Sequence, residues 1–406
     1  MRIAFVSYEF PPETGGGGIG TYLLHASRML ARLGHEVEIF CGTSGNPRTE
    51  AIEGCTVHRL TSPDSPSFKD CVAPVFAGRH AARAFHVIEG CDFDASALRV
   101  KERFPTLPYV AKLHTPRFVI DELQHRAPSA RQRVRIALGA LRRGRLFLSP
   151  PIRRQAAAQD EIAALRLADA IAAPSRAIAD AAVTWAPLSR AKISVFPYPY
   201  EPPAALLDIP VRTETKRVTF IGRLEERKGV VELAAAIPAV LGRFPDACFR
   251  FVGRDMDASD GGPSMRRHLE RRLGRHGAAV EFTGAVAARE IPRYLAETDI
   301  VAAPSHWESF GLVCCEALAA ARGVIGSASG GMGEILDGGR CGLLVPPRHP
   351  DELAAAIISL LGDPAHRTAL GEAGRRRILE YYSADHVMKA QIATYERAIA
   401  VCHGPA

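Results

Sequence analysis

The residues best suited to chemistry stand late in the chain. Glu308-Ser-Phe-Gly-Leu-Val-Cys-Cys-Glu316 sets two carboxylates eight residues apart across an expected helix start, with Gly222-Arg-Leu-Glu-Glu-Arg-Lys228-Gly upstream. Carboxylates hold pairs of hydroxyls, and cations hold phosphate oxygens, so the combination points to a sugar nucleotide as ligand. The first amides of a helix lack internal partners and carry positive dipole potential, which equips Phe310, Gly311 and Leu312 to donate to anionic oxygens. Helical side chains lean towards the N-terminus, so Glu316, a turn and a half further on, can share a pocket mouth with Glu308. The spacing alone also fits a surface cap followed by a solvated helix residue.

The surrounding elements favour the chemical reading. Val301-Ala-Ala-Pro-Ser305 reads as a buried strand ending just before Glu308, and Val218-Thr-Phe-Ile-Gly222 as an apolar strand followed by Arg223, Lys228 and a helical pattern from Val230 to Val240. Both sets of charged residues then fall at the carboxyl edge of a parallel sheet, where α/β folds bind ligands. There Arg223 and Lys228 would stabilise charge growing on a departing diphosphate.

The first half repeats the pattern. Arg2-Ile-Ala-Phe-Val-Ser7 is a short strand, Pro11-Pro-Glu-Thr-Gly-Gly-Gly-Gly18 a loop, and Thr21 to Leu33 an amphipathic helix closed by Gly34. A glycine loop before a helix is a phosphate cradle, a flexible turn or a dinucleotide site. The spacing is not G-x-G-x-x-G with a well-placed acid, which argues against a dehydrogenase. Val110-Ala-Lys-Leu-His114-Thr-Pro puts an imidazole at another strand end, where it either donates to a substrate or is structural. Glu89 ends a further strand.

These motifs together resemble the retaining glycosyltransferases of family 4, and the likeness covers nearly the whole chain. The resemblance implies the GT-B fold: two Rossmann-like domains with parallel sheets facing a central cleft, and a C-terminal helix crossing back. It assigns Arg223 and Lys228 to the donor diphosphate, Glu316 to the ribose diol, Glu308 to the transferred sugar, and the amides of Phe310, Gly311 and Leu312 to sugar and phosphate. Gly17 and Gly18 match the glycine pair that approaches the donor phosphate, and Val286, after Phe282-Thr-Gly-Ala, lies against the nucleobase. His114 takes the family's histidine place beside the reaction centre, and Glu13, Glu89 and His114 form the acceptor side. Some positions depart from the pattern: Pro197-Tyr198-Pro199 stands for the usual Pro-Asn-Gly, Ala321 for Gly and Gly323 for Pro, and a customary Pro is missing before Glu334.

Length and composition agree. A chain of 406 residues with 47% apolar content supports two cored domains. The Pro-rich run Val195 to Pro203 marks the divide, giving an acceptor domain over 1–196, a donor domain over 197–380 and a returning helix over 381–406. Nine cysteines without a C-x2-C pair support neither zinc nor disulfides. With no secretory leader and no membrane-spanning run, a cytoplasmic protein is expected. Asp92-Phe-Asp94 and Asp255-Met-Asp257 have the D-x-D form that can hold a divalent ion, but neither joins the other motifs, so metal-independent action without a cofactor is expected.

From Arg126 to Arg154 there are nine arginines and no Asp, Glu or Lys; without them a net charge of +7 falls to −2. Arg131, Arg135, Arg142 and Arg145 would share a helical face beside Val134, Leu138 and Leu141. This suits peripheral contact with an anionic membrane at its inner face, a lipid-diphosphate acceptor, or a solvated surface. Without aromatic interleaving or a recognised module, nucleic acid is not an expected partner. The expected activity is retaining transfer of a sugar from a nucleoside diphosphate, uridine first and guanosine second, to a hydroxyl acceptor. A nucleotide-sugar epimerase, a sugar phosphorylase or a non-catalytic membrane-surface protein are the rivals.

Overall fold

The computed structural model of this chain describes residues 1–15, 17–124, 152–258, 262 and 264–403. The arginine-rich face expected over Arg131–Arg145 lies outside the described residues. By contacts the chain divides into two units, Met1–Phe196 with Met388–Ala406, and Pro197–Val387.

The first unit is built on an eight-stranded sheet with the order β3-β4-β2-β1-β5-β6-β7-β8. The strands are β1 (Arg2–Val6), β2 (Glu36–Thr43), β3 (Arg48–Ile52), β4 (Cys55–Thr61), β5 (Val87–Cys91), β6 (Tyr109–Lys112), β7 (Ala170–Ala173) and β8 (Ile193–Val195). All neighbours run parallel except β3 against β4. Ile3 to Val6 are fully buried, as expected of a strand covered on both faces. The helix expected from Thr21 starts three residues earlier and runs Gly18–Arg32, closing through Gly34 at φ +82°. Residues of the last helix, Ala384–His403, pack into this unit through Gln391 and Tyr395.

The second unit carries a six-stranded parallel sheet, order β11-β10-β9-β12-β13-β14. Its strands are β9 (Arg217–Ile221), β10 (Cys248–Val252), β11 (Val280–Gly284), β12 (Ile300–Ala303), β13 (Gly323–Ser327) and β14 (Leu343–Val345). The helix Val230–Arg243 lays Val230, Leu233, Ile237 and Val240 against Val218, Phe220 and Ile300, and Leu353, Ile357 and Leu360 complete the same core. Each such side chain contributes about 1.5–3 kcal/mol on burial, which holds the strand ends, and whatever they carry, in a fixed frame.

Both sheets change direction in the middle. The chain leaves β1 on one side through β2 and returns on the other at β5; it leaves β9 through β10 and returns at β12. At such switch points the loops after neighbouring strands diverge and leave a crevice outside the carboxyl ends. Among the described residues, no helix is long and apolar enough to cross a membrane.

Candidate active site

The loops after β9 and β12 meet at the switch point of the second sheet. Gly229 is where they touch: its φ is +73°, and a Cβ there would lie 2.0 Å from the Pro304 carbonyl oxygen. Only glycine tolerates both the conformation and the approach. The contact is reinforced by the His306 amide donating to the Arg227 carbonyl at 2.8 Å and by His306 Nε2 against Glu232 Oε1 at 2.9 Å. It places Lys228 Nζ on Glu308 Oε1 in a hydrogen-bonded ion pair, with the Arg227 guanidinium 3.8 Å from the same oxygen.

Glu308 is thus half-buried between two cations. Burial pushes its carboxyl up, but the charges of Lys228 and Arg227, with hydrogen bonds from Lys228 and Ser305, outweigh that and hold it below the ordinary carboxylate value. It is an anion at neutral pH. Its backbone is held as tightly: Gly331 N–H donates to the Glu308 carbonyl at 2.7 Å, and a Cβ on Gly330 would sit 2.2 Å from that oxygen.

Phe310 is buried, and Gly311 caps the helix Leu312–Ala319 with no side chain over its first amides. Those amides keep their donor capacity and the positive end of the dipole. Glu316, on the same helix and half-buried, has lost enough hydration that its carboxyl is pushed up to about 7. Arg223 follows the end of β9, exposed and paired with Glu225 at 3.1 Å. Val286 lies half-buried in the loop after β11.

In the first unit, Gly17 is the N-cap and Gly18 the first residue of Gly18–Arg32; both are exposed, and no side chain caps the first turn. His114 is buried, with its ring edge-on to Tyr22 at 5.3 Å. Burial, helped by the charge of Lys112, lowers its imidazole well below the ordinary value, so the ring is neutral at physiological pH. Its amide donates to Asp92 Oδ2 at 2.9 Å.

One acceptor-side expectation is corrected. Glu89 is 1% exposed, and its oxygens accept from Tyr22, Tyr395 and Gln391 at 2.6–3.2 Å, so it ties the last helix to the sheet instead of facing a ligand. Glu13 accepts from Arg48 and from Thr43 Oγ1, hydrogen bonds that lower its pKa and fasten the loop after β1 to the sheet.

Three of the four D-x-D carboxylates are similarly engaged. Asp92 is fully buried and accepts amide protons from Phe93 and His114, Asp94 pairs with Arg117 at 2.6 Å, and Asp255 accepts from Ser264 and Arg266. Cys91, Asp92 and His114 bring one potential ligand atom each within 4.8 Å of one another. Burial holds the Cys91 thiol well above its ordinary pKa, and each Asp92 oxygen accepts one backbone amide.

Sequence reasoning missed Arg227 and Ser305. Arg227 adjoins Lys228, and only the tight turn Glu226–Lys228 brings both cations towards Glu308. Ser305 had no signal beyond closing the strand motif.

Residues 17–199 match the family described as "Glycosyl transferase 4-like domain", and residues 215–363 that described as "Glycosyl transferases group 1". The chain is 28% identical to a glycogen synthase of Mycobacterium tuberculosis over 97% of its own length and 94% of that protein. A sucrose-phosphate synthase from Thermosynechococcus elongatus superposes with a TM-score of 0.74 at 22% identity, covering 98% of this chain and 99% of that one. Anabaena Alr3699/HepE in complex with UDP does so with a TM-score of 0.65 at 20% identity, covering 97% and 98%.

Proposed function

This chain belongs to the group 1 glycosyltransferases and has the GT-B fold, and from that premise we propose that it transfers a sugar from a UDP-sugar to a hydroxyl acceptor with retention at the anomeric carbon. The observation that carries this reading is the Lys228–Arg227–Glu308 cluster beside the uncapped start of Leu312–Ala319. Two cations and free amides suit a diphosphate, and an anionic carboxylate beside them suits the hydroxyls of the attached sugar. UDP is favoured because a structural relative of full length is described in complex with UDP.

In this scheme Lys228, Arg223 and the amides of Phe310 to Leu312 hold the diphosphate and take up charge as the bond from the anomeric carbon to the diphosphate oxygen breaks. Glu308 orients the sugar hydroxyls, Glu316 accepts from the ribose diol, and Val286 packs on the base. Retention follows if the acceptor hydroxyl attacks from the face the diphosphate leaves, with a diphosphate oxygen taking its proton; this needs no protein nucleophile. Charge neutralisation by side chains also supports turnover without a divalent ion, and equal rates in EDTA and in manganese are expected.

The direct test is a thermal-shift series with UDP, GDP, ADP and dTDP. Selective stabilisation by UDP is expected, since a ligand at 100 times its Kd adds about 2.7 kcal/mol. No shift with any of the four would overturn the donor assignment.

A further inference from the structure

The donor loop is held at its centre by aromatic rings that no catalytic role requires. Phe310, between Glu308 and Gly311, packs its ring on Tyr198 at 4.7 Å and on Tyr382 at 5.9 Å, both tilted. All three rings are 3% exposed or less. The two tyrosine segments are themselves joined, because Tyr200 N–H donates to the Tyr382 carbonyl at 3.1 Å.

The contacts close into a ring around the loop. Arg377 lies over Tyr382 at 5.9 Å and donates to the Glu334 and Ile335 carbonyls at 2.8 and 3.0 Å. The short helix carrying those carbonyls, Met332–Ile335, begins at Gly331, whose amide holds the Glu308 carbonyl. Glu308 is therefore fixed through its backbone and Phe310 through its ring. Tyr198 belongs to the segment by which the chain enters this unit at Pro197, and Tyr382 lies shortly before it leaves at Val387.

We propose that Tyr198 is a positioning residue of the transfer reaction, which through Phe310 sets where the Glu308 carboxylate and the amides of residues 310–312 stand relative to the donor diphosphate. The proposal rests on the donor reading above. Amides that must meet phosphate oxygens lose rate steeply when displaced by even about 1 Å, and an aromatic pair is strong enough to bias such a position by roughly three- to tenfold.

The experiment compares Tyr198→Ala, Tyr198→Phe, Phe310→Ala and the Ala double variant, using whichever of UDP, GDP, ADP and dTDP stabilises the wild type and the matching nucleotide sugar. Tyr198→Ala is expected to weaken nucleotide binding and raise the donor KM roughly three- to tenfold, with acceptor KM unchanged. Tyr198→Phe should stay within about twofold of wild type, and the double variant should lose no more than Phe310→Ala alone, because both act through one contact. If Tyr198→Ala does not fold, Tyr198→Leu replaces it, read by faster amide hydrogen exchange over residues 310–312. Unchanged donor KM in Tyr198→Ala, fully additive losses, or unchanged exchange in Tyr198→Leu would overturn the positioning role while leaving the donor site standing. A wild type stabilised by none of the four nucleotides would overturn both.

Discussion

The carboxyl edges of the two sheets use charge in opposite ways. At the end of β9 and β12, Lys228, Arg227 and Glu308 are paired with one another and keep a share of their surface open, so a ligand can exchange with the protein for each partner. At the ends of β5 and β6, Glu89, Asp92 and Lys112 are 1% exposed or less, and the acids' hydrogen-bonding capacity goes to tyrosines, Gln391 and backbone amides. The same topology and residue types thus yield a partly open charge cluster in one unit and a structural node in the other. What distinguishes them is whether the charge is satisfied by something a substrate can displace.

The largest effect expected from this contrast is on stability. Glu89→Leu leaves the Tyr22 and Tyr395 hydroxyl protons buried without their acceptor, at a cost of about 3–5 kcal/mol seen as a lower urea midpoint. UDP affinity per folded molecule should not change. A variant that folds as well as wild type but no longer turns over would erase the distinction between the two edges.

Glu308→Gln should show the reverse pattern. Turnover is expected to fall by about 10²–10³-fold, as when a group that stabilises the transition state is lost, while the unfolding free energy from urea denaturation changes by about 1 kcal/mol or less because the cluster is partly solvated. Steady-state rates and denaturation on the same preparation decide it; near-normal turnover would remove Glu308 from the mechanism.

The smallest expected effect sharpens the comparison within the partly open edge. Burial raises the Glu316 carboxyl to about 7, whereas its cations hold Glu308 below the ordinary range. If ribose hydroxyls donate to ionised Glu316, affinity for a nucleotide sugar must rise as pH rises through about 7 and level above it. The gain between pH 6 and pH 8 is up to about tenfold. A nucleotide sugar is the right probe because its diphosphate lacks the terminal ionisation near pH 6. Glu316→Gln should bind with a flat profile over that interval, and an identical slope in both proteins would detach Glu316 from the nucleotide.

Much of the partly open edge was legible in sequence because its signals are local. Apolar runs of strand length, a glycine at the loop corner and a helix start between two glutamates each depend on a few neighbouring residues. The first-half acids could not be read in the same way. Glu89 lies within an apolar strand pattern and Glu308 follows one, yet the donors that engage Glu89 come from Tyr22, Gln391 and Tyr395, which are 67, 302 and 306 residues away. The D-x-D at Asp92 likewise gives no sign in sequence that the Phe93 and His114 amides donate to its first carboxylate.

By itself the sequence determined the α/β alternation, the places where strands end in glycine and charge, and the helix N-termini left without caps, since periodicity and turn chemistry act over a few residues. Tertiary structure decided which charges face each other: that Arg227 joins Lys228 on Glu308, that Glu13 and Glu89 are occupied by protein, and that Phe310 rests on Tyr198 and Tyr382. Burial and pairing are properties of packed surfaces brought together across the chain, and whether a carboxylate is a ligand or a brace depends on them.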